Sequence, residues 1–153
     1  MTTVHRYAVA CSWEGSTGQG YDRYSRTHSG SAPPAPATLR LSADRAFRGD
    51  PDLLNPEQLF VLAASSCQLL SFLAVAARAR LDVRRYQDRA EAEMPEDDPP
   101  VRIARIWLRP RIELAAGPGE ECVLRLVEQA HRECYIANSA RTEIQVEPEI
   151  VFV

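Results

Sequence analysis

The chain has 153 residues, 45% of them hydrophobic, enough for one domain with a real core. Eighteen basic against twenty-one acidic residues give a formal charge of −3, so there is neither the basic footprint of a nucleic-acid binder nor a polybasic membrane anchor. Every basic residue is arginine and none is lysine, which excludes Schiff-base chemistry by a lysine side chain and makes any fixed positive charge a guanidinium.

Along the first fifty residues, HRYAVACSWEG, YSRTHSGSA and TLRLSADRAF read as three short strands separated by Ser/Gly-rich and Pro-rich connections. The start MTTVHRYAVACSWEGS lacks the basic region, apolar core and cleavage site of a signal peptide, so the expected location is the cytoplasm, where thiols are kept reduced.

The stretch NPEQLFVLAASSCQLLSFLAVAA, residues 55–77, predicts a long helix running to about Arg80. Asn55 suits the N-cap, Pro56 the first helical position, and Gln58 the place from which a capping box reaches back. Apolar residues lie all round this helix, the mark of burial on every side, and a chain of this size has little material to cover it, so a second subunit is expected to do part of the work. Its length would also span a bilayer, but Gln58, Ser65, Ser66, Gln68 and Ser71 interrupt the run and argue for a soluble core helix.

VRRYQDRAEAEM and VRIARIWLRPRIEL, joined by the polar loop PEDDPP, fit a hairpin. A second helix follows GPGEE, with Val123, Leu126, Val127, Ala130, Cys134 and Ala137 on one face, and TEIQVEPEIVFV closes the chain as a strand. This order predicts a single α+β domain over residues 1–153 with helices packed on one face of an antiparallel sheet.

Four cysteines, Cys11, Cys67, Cys122 and Cys134, show no zinc-ribbon spacing, and no metal is expected. A free cysteine is most often a small buried hydrophobe, which suits Cys134 on its apolar face and is the default for Cys67. Ser65, Ser66 and Gln68 beside Cys67 shift the balance there, because polar groups in a buried helix need partners and that turn should face a cleft or subunit boundary. His131 shares Cys134's side of its helix, where a histidine is more often structural than catalytic, and nothing in the sequence fixes a role for it or for His28. Glu57 is accounted for by the helix dipole alone, and Arg23 and Arg26 by solvation. Cys122 and Cys134 are about 18 Å apart along a helix, too far to bridge, and Cys11 and Cys122 read as bystanders.

The asparagine-proline-glutamate trio at 55–57, the cysteine ten residues after the glutamate, and the downstream HRECYIANS with its second cysteine and I-x-x-S segment resemble the OsmC/Ohr family of organic hydroperoxide reductases. The resemblance spans nearly the whole chain. It implies an intertwined α+β homodimer in which Cys67 is the peroxidatic cysteine, Cys134 the resolving one, and Glu57 the acid paired with an arginine at the start of the second strand. That arginine is Arg26, with Arg23 the fallback. The partners so implied are an organic hydroperoxide substrate and an external dithiol reductant, with no organic cofactor. Such a site would run through a Cys67 sulfenic acid and a Cys67–Cys134 disulfide.

Helix geometry adds that Glu57 and Cys67 sit about 15 Å apart along one axis, so a glutamate-arginine pair from one subunit should face the cysteine of the other. Two other readings of the residues stay open: a binding module for a hydrophobic small molecule, and a thiol sensor that reacts without turnover.

Overall fold

The computed structural model describes residues 1–153 and divides into two units, residues 1–59 and 60–153, each described in turn. In the first unit, β1 (Ala10–Ser12), β2 (His28–Ser31) and β3 (Thr38–Leu41) form an antiparallel sheet in that order, the three strands expected from the sequence. The registers are close and regular, Cys11 opposite Gly30 and His28 opposite Leu41. After β3 the chain makes a single 3-10 turn at Arg45–Phe47, capped by Asp44 Oδ1 accepting from the Ala46 amide at 2.7 Å. Gly49 closes that turn with its amide on the Asp44 carbonyl, so near the Ala43 backbone that a Cβ would overlap it.

Helix α1 (Pro56–Arg78) starts at the end of this unit and continues into the next. Its start is the reciprocal capping box expected from the sequence: Asn55 Oδ1 accepts from the Gln58 amide at 2.8 Å, and Gln58 Oε1 accepts from the Asn55 amide at 3.0 Å. Its end is equally definite. Arg80 is left-handed (φ 59°), Leu81 donates its amide to the Ala76 carbonyl, and Arg80 to that of Ala77, a Schellman closure made without glycine.

The second unit is built on a long hairpin, as the sequence suggested. One arm is β4 (Val83–Asp88) and β5 (Glu91–Glu93); the other is β6 (Arg105–Leu108) and β7 (Pro110–Leu114). β4 pairs antiparallel with β7, and β5 with β6. The chain then crosses back through α2 (Glu120–Glu133) and the short α3 (Tyr135–Ser139) to β8 (Glu143–Val146) and β9 (Glu149–Phe152). The C-terminal segment is thus two strands, and they run parallel to β6 and β7 respectively. Parallel strands need a crossover connection, which α2 and α3 supply, so the two sheets of this unit are mixed where antiparallel order was expected throughout.

Phe72, Val75 and Ala76 of α1 pack with Ile112 and Leu114 of β7 and with Val123, Val127 and Ala130 of α2. A second cluster joins Ala64 to Ile106 and Leu108. Burying a side chain such as Phe72, which is fully enclosed, contributes about 1.5–3 kcal/mol. The charged alternation of the hairpin lies on the outside as ion pairs across strands, Arg105 with Glu143 and Arg109 with Glu91 and Glu147.

Helix α1 is long and apolar enough to cross a bilayer by length and composition, and one chain alone leaves part of it uncovered: Leu62 is 57% and Leu70 62% exposed. With Ser66, Leu73 and Ala77 they repeat at steps of three and four, so one mostly apolar face of the helix stands open. One expectation changes: the second helix does not run through Cys134 to Ala137. Cys134 takes an extended conformation (φ −71°, ψ 110°) and serves as both the C-cap of α2 and the N-cap of α3.

Candidate active site

In the first unit a cavity of about 350 Å³ is lined by Cys11 and Trp13 from β1 and its extension, by Tyr24, Arg26 and His28 leading into β2, by Phe47, and by Pro56 and Glu57 at the head of α1. Arg26 and Glu57, paired by expectation, therefore open onto one space. Arg26 is half-buried, whereas Arg23 is exposed in the preceding turn and contributes nothing to the lining.

No ion pair joins Arg26 to Glu57. The guanidinium instead donates one N–H to the Tyr24 carbonyl and another to the Tyr21 carbonyl, each at 2.5 Å. His28 is fixed by a 2.8 Å bond between Nδ1 and the Arg26 carbonyl. Cys11, read from the sequence as a bystander, is exposed and lines the same cavity.

In the second unit, Cys67 on α1 and Cys134 at the bend after α2 are neighbours, and both thiols are free. The Cys134 thiol is pushed up to about 11, first by burial and second by the adjacent Cys67 side chain. The backbone amides of Ala137 and Ile136, at the start of α3, pull it partway back. Cys134 sits in the bend between α2 and α3 and is 1% exposed.

The polar residues around Cys67 divide in three directions. Ser65 Oγ donates to Asp88 Oδ2 on β4 at 2.5 Å, Gln68 is fully buried with Nε2 on the Val127 carbonyl at 3.3 Å, and Ser66 faces outward. The expected polar cleft at this turn is thus partly an internal bracing of α1 against β4 and α2. Gln68 Oε1, Tyr86 Oη and His131 Nδ1 are buried without a partner. Tyr86 has its pKa raised, mainly by burial and then by the charge of Asp88, with Cys134 a further contributor. Cys122 is half-buried on α2 and is not among the groups that act on Cys134.

The expected residues therefore fall into two halves, a cation and carboxylate around one cavity and a dithiol in the other unit. Sequence reasoning missed the aromatic lining Trp13, Tyr24 and Phe47, for which the interleaving of tyrosine and arginine in YDRYSR is the available signal.

The fold has close counterparts. An OsmC-like protein of unknown function from Vibrio cholerae is 26% identical and superposes with a TM-score of 0.86 over 95% of this chain and 99% of that one. An organic hydroperoxide resistance protein from Elizabethkingia anophelis is 19% identical with a TM-score of 0.73 over the whole of both chains. The organic hydroperoxide resistance protein OhrB of Bacillus subtilis is 17% identical with a TM-score of 0.60, covering 95% and 98%. No curated protein matches the sequence. The family model described as OsmC-like protein matches residues 49–149, about two thirds of the chain and both candidate cysteines, and the chain belongs to that family.

Proposed function

We propose that the protein is a thiol-dependent peroxidase that reduces organic hydroperoxides. The observation that carries the reading is the adjacency of Cys67 and Cys134, two free thiols from distant parts of the chain meeting in one place. Membership of the OsmC-like family and the fold shared with two organic hydroperoxide resistance proteins support it.

The chemistry balances with these two thiols, the peroxide as oxidant and an external dithiol as reductant. The Cys67 thiolate attacks one peroxide oxygen; an S–O bond forms, the O–O bond breaks, and the alkoxide leaves and takes a proton to become the alcohol. Cys67 is now a sulfenic acid. Cys134 attacks its sulfur, expelling water and forming the disulfide before further oxidation of Cys67. An external dithiol restores both thiols by two exchanges. The Arg26 guanidinium stabilises the negative charge that develops on the departing oxygen, and Glu57 lines the same cavity. The aromatic lining by Trp13, Tyr24 and Phe47 favours a substrate with an apolar organic body over hydrogen peroxide.

Arg26 and Glu57 reach Cys67 across a subunit boundary in this reading. Ten residues of unbroken helix set Glu57 about 15 Å from Cys67 along the α1 axis, so the carboxylate of one chain serves the thiol of another. The open apolar face of α1, with Leu62, Leu70 and Leu73, supports a homodimer. The test is consumption of cumene hydroperoxide with dithiothreitol as reductant. Wild-type protein should turn over, and Cys67→Ser should lose turnover by at least about a hundredfold, since a serine hydroxyl does not replace the thiolate as nucleophile. Equal rates in the two proteins would refute the peroxidase.

A further inference from the structure

Arg26 is held by neutral groups only. Its guanidinium carbon lies 3.8 Å from the centroid of the Tyr24 ring and 4.5 Å from that of Tyr21, and its two hydrogen bonds go to the carbonyls of these same residues. None of the chain's ion pairs includes it. The tyrosines are themselves braced. Their rings meet edge to face at 6.2 Å, Trp13 stands edge-on to Tyr24 at 6.0 Å, and the Trp13 indole N–H donates to the Ser25 carbonyl at 2.8 Å. A 2.8 Å ion pair between Asp22 and Arg48 ties the turn between the two tyrosines to the segment after the 3-10 turn.

The choice of neutral partners has a chemical consequence. A carboxylate would orient the guanidinium and also cancel much of its field. Ring faces and carbonyls orient it and leave the full charge in place. Two of the five guanidinium N–H donors are used, which leaves the others for an oxygen in the cavity.

We propose that Tyr21 and Tyr24 form an aromatic clamp that orients Arg26 toward the reacting peroxide, with Tyr24 the principal positioning residue. The inference rests on the reading of Arg26 as the cation of the peroxidase site. It assigns to the tyrosines the orienting work that a glutamate partner would otherwise do, and leaves Glu57 free for other contacts in the cavity.

The experiment is the second-order rate of Cys67 oxidation by cumene hydroperoxide in the full-length protein, for wild type, Arg26→Gln, Tyr24→Leu, Tyr24→Phe and the Arg26→Gln/Tyr24→Leu double variant. Tyr24→Leu should slow oxidation about tenfold, the size expected for losing a partly desolvated cation–π contact. Tyr24→Phe, which keeps the ring and the backbone carbonyl, should recover most of the rate. The double variant should be no slower than Arg26→Gln alone, because a residue that acts only through Arg26 has nothing left to position. Tyr21→Leu, at an exposed site, carries the same comparison should Tyr24→Leu fail to fold. Wild-type rates in the folded leucine variants, or strictly additive losses in the double variant, overturn the clamp while leaving Arg26 as the cation. A wild-type rate in Arg26→Gln overturns both.

Discussion

The Cys134 thiol lies against Cys67 and is held protonated, its pKa pushed up to about 11 by burial and by that neighbour. A thiol in this state is protected from random oxidants, and it attacks only through the small fraction that ionises.

That property makes resolution pH-dependent. Well below a pKa of about 11 the Cys134 thiolate fraction grows about tenfold per pH unit, so closure of the Cys67–Cys134 disulfide after a single equivalent of peroxide should accelerate steeply between pH 7 and 9. Rapid quenching followed by intact mass separates the sulfenic acid from the disulfide. A flat profile would contradict the assignment of Cys134 as the attacking thiol.

The same burial affects folding. Cys134 and Tyr86 both have raised pKa values, so the folded chain keeps these protons where the unfolded chain has lost them. Their contribution is intact below the unfolded values of about 8.5 and 10, and is lost as pH rises toward the folded ones. Urea midpoints of the reduced protein should therefore fall from pH 8 to pH 10. Cys134→Ser should flatten the lower part of that fall, and Tyr86→Phe, which also removes a buried unpartnered hydroxyl, the upper part.

Asn55→Ala breaks the capping box and the contact of its side chain with Asp44 Oδ2. Loss of an N-cap costs about 0.5–2 kcal/mol, read as a lower urea midpoint at unchanged slope. This element was legible in the sequence because a capping box is a local pattern, fixed by residues three apart. The hairpin was legible for a related reason, two strand-like arms around an obvious polar loop. Which face of α1 stays open was not, since a helix without charge carries no polar stripe to mark its outside. Nor were the parallel course of β8 and β9 and the bend at Cys134, which depend on how distant segments meet. Cys67, Cys134, Arg26 and Glu57 could be named only through the family motif; residue chemistry alone left each a bland structural reading. The tyrosines around Arg26 carried no motif and emerge from geometry alone.

Leu70→Asp places a charge on the exposed face of α1. In an isolated chain such a surface change is worth within about 0.5 kcal/mol, but at a dimer interface it buries an unpaired carboxylate. Sedimentation should show dimer for wild type and monomer for the variant. Composite sites make a sharper claim in the same system. Arg26→Gln, slowed, and Cys67→Ser, inactive, should gain activity when co-expressed, since a mixed dimer contains one intact cation-thiol pair. Full dimerisation with no recovery would mean that cation and thiol act within a single chain.

The most direct measurement is the intact mass of the reduced protein before and after one equivalent of cumene hydroperoxide, with peptide mapping of the product. The account predicts loss of two hydrogens in the wild type, mapped to a Cys67–Cys134 bond, and a gain of one oxygen on Cys67 in Cys134→Ser. Thiols that both remain reduced, or a disulfide that maps to Cys11 or Cys122 instead, would contradict it.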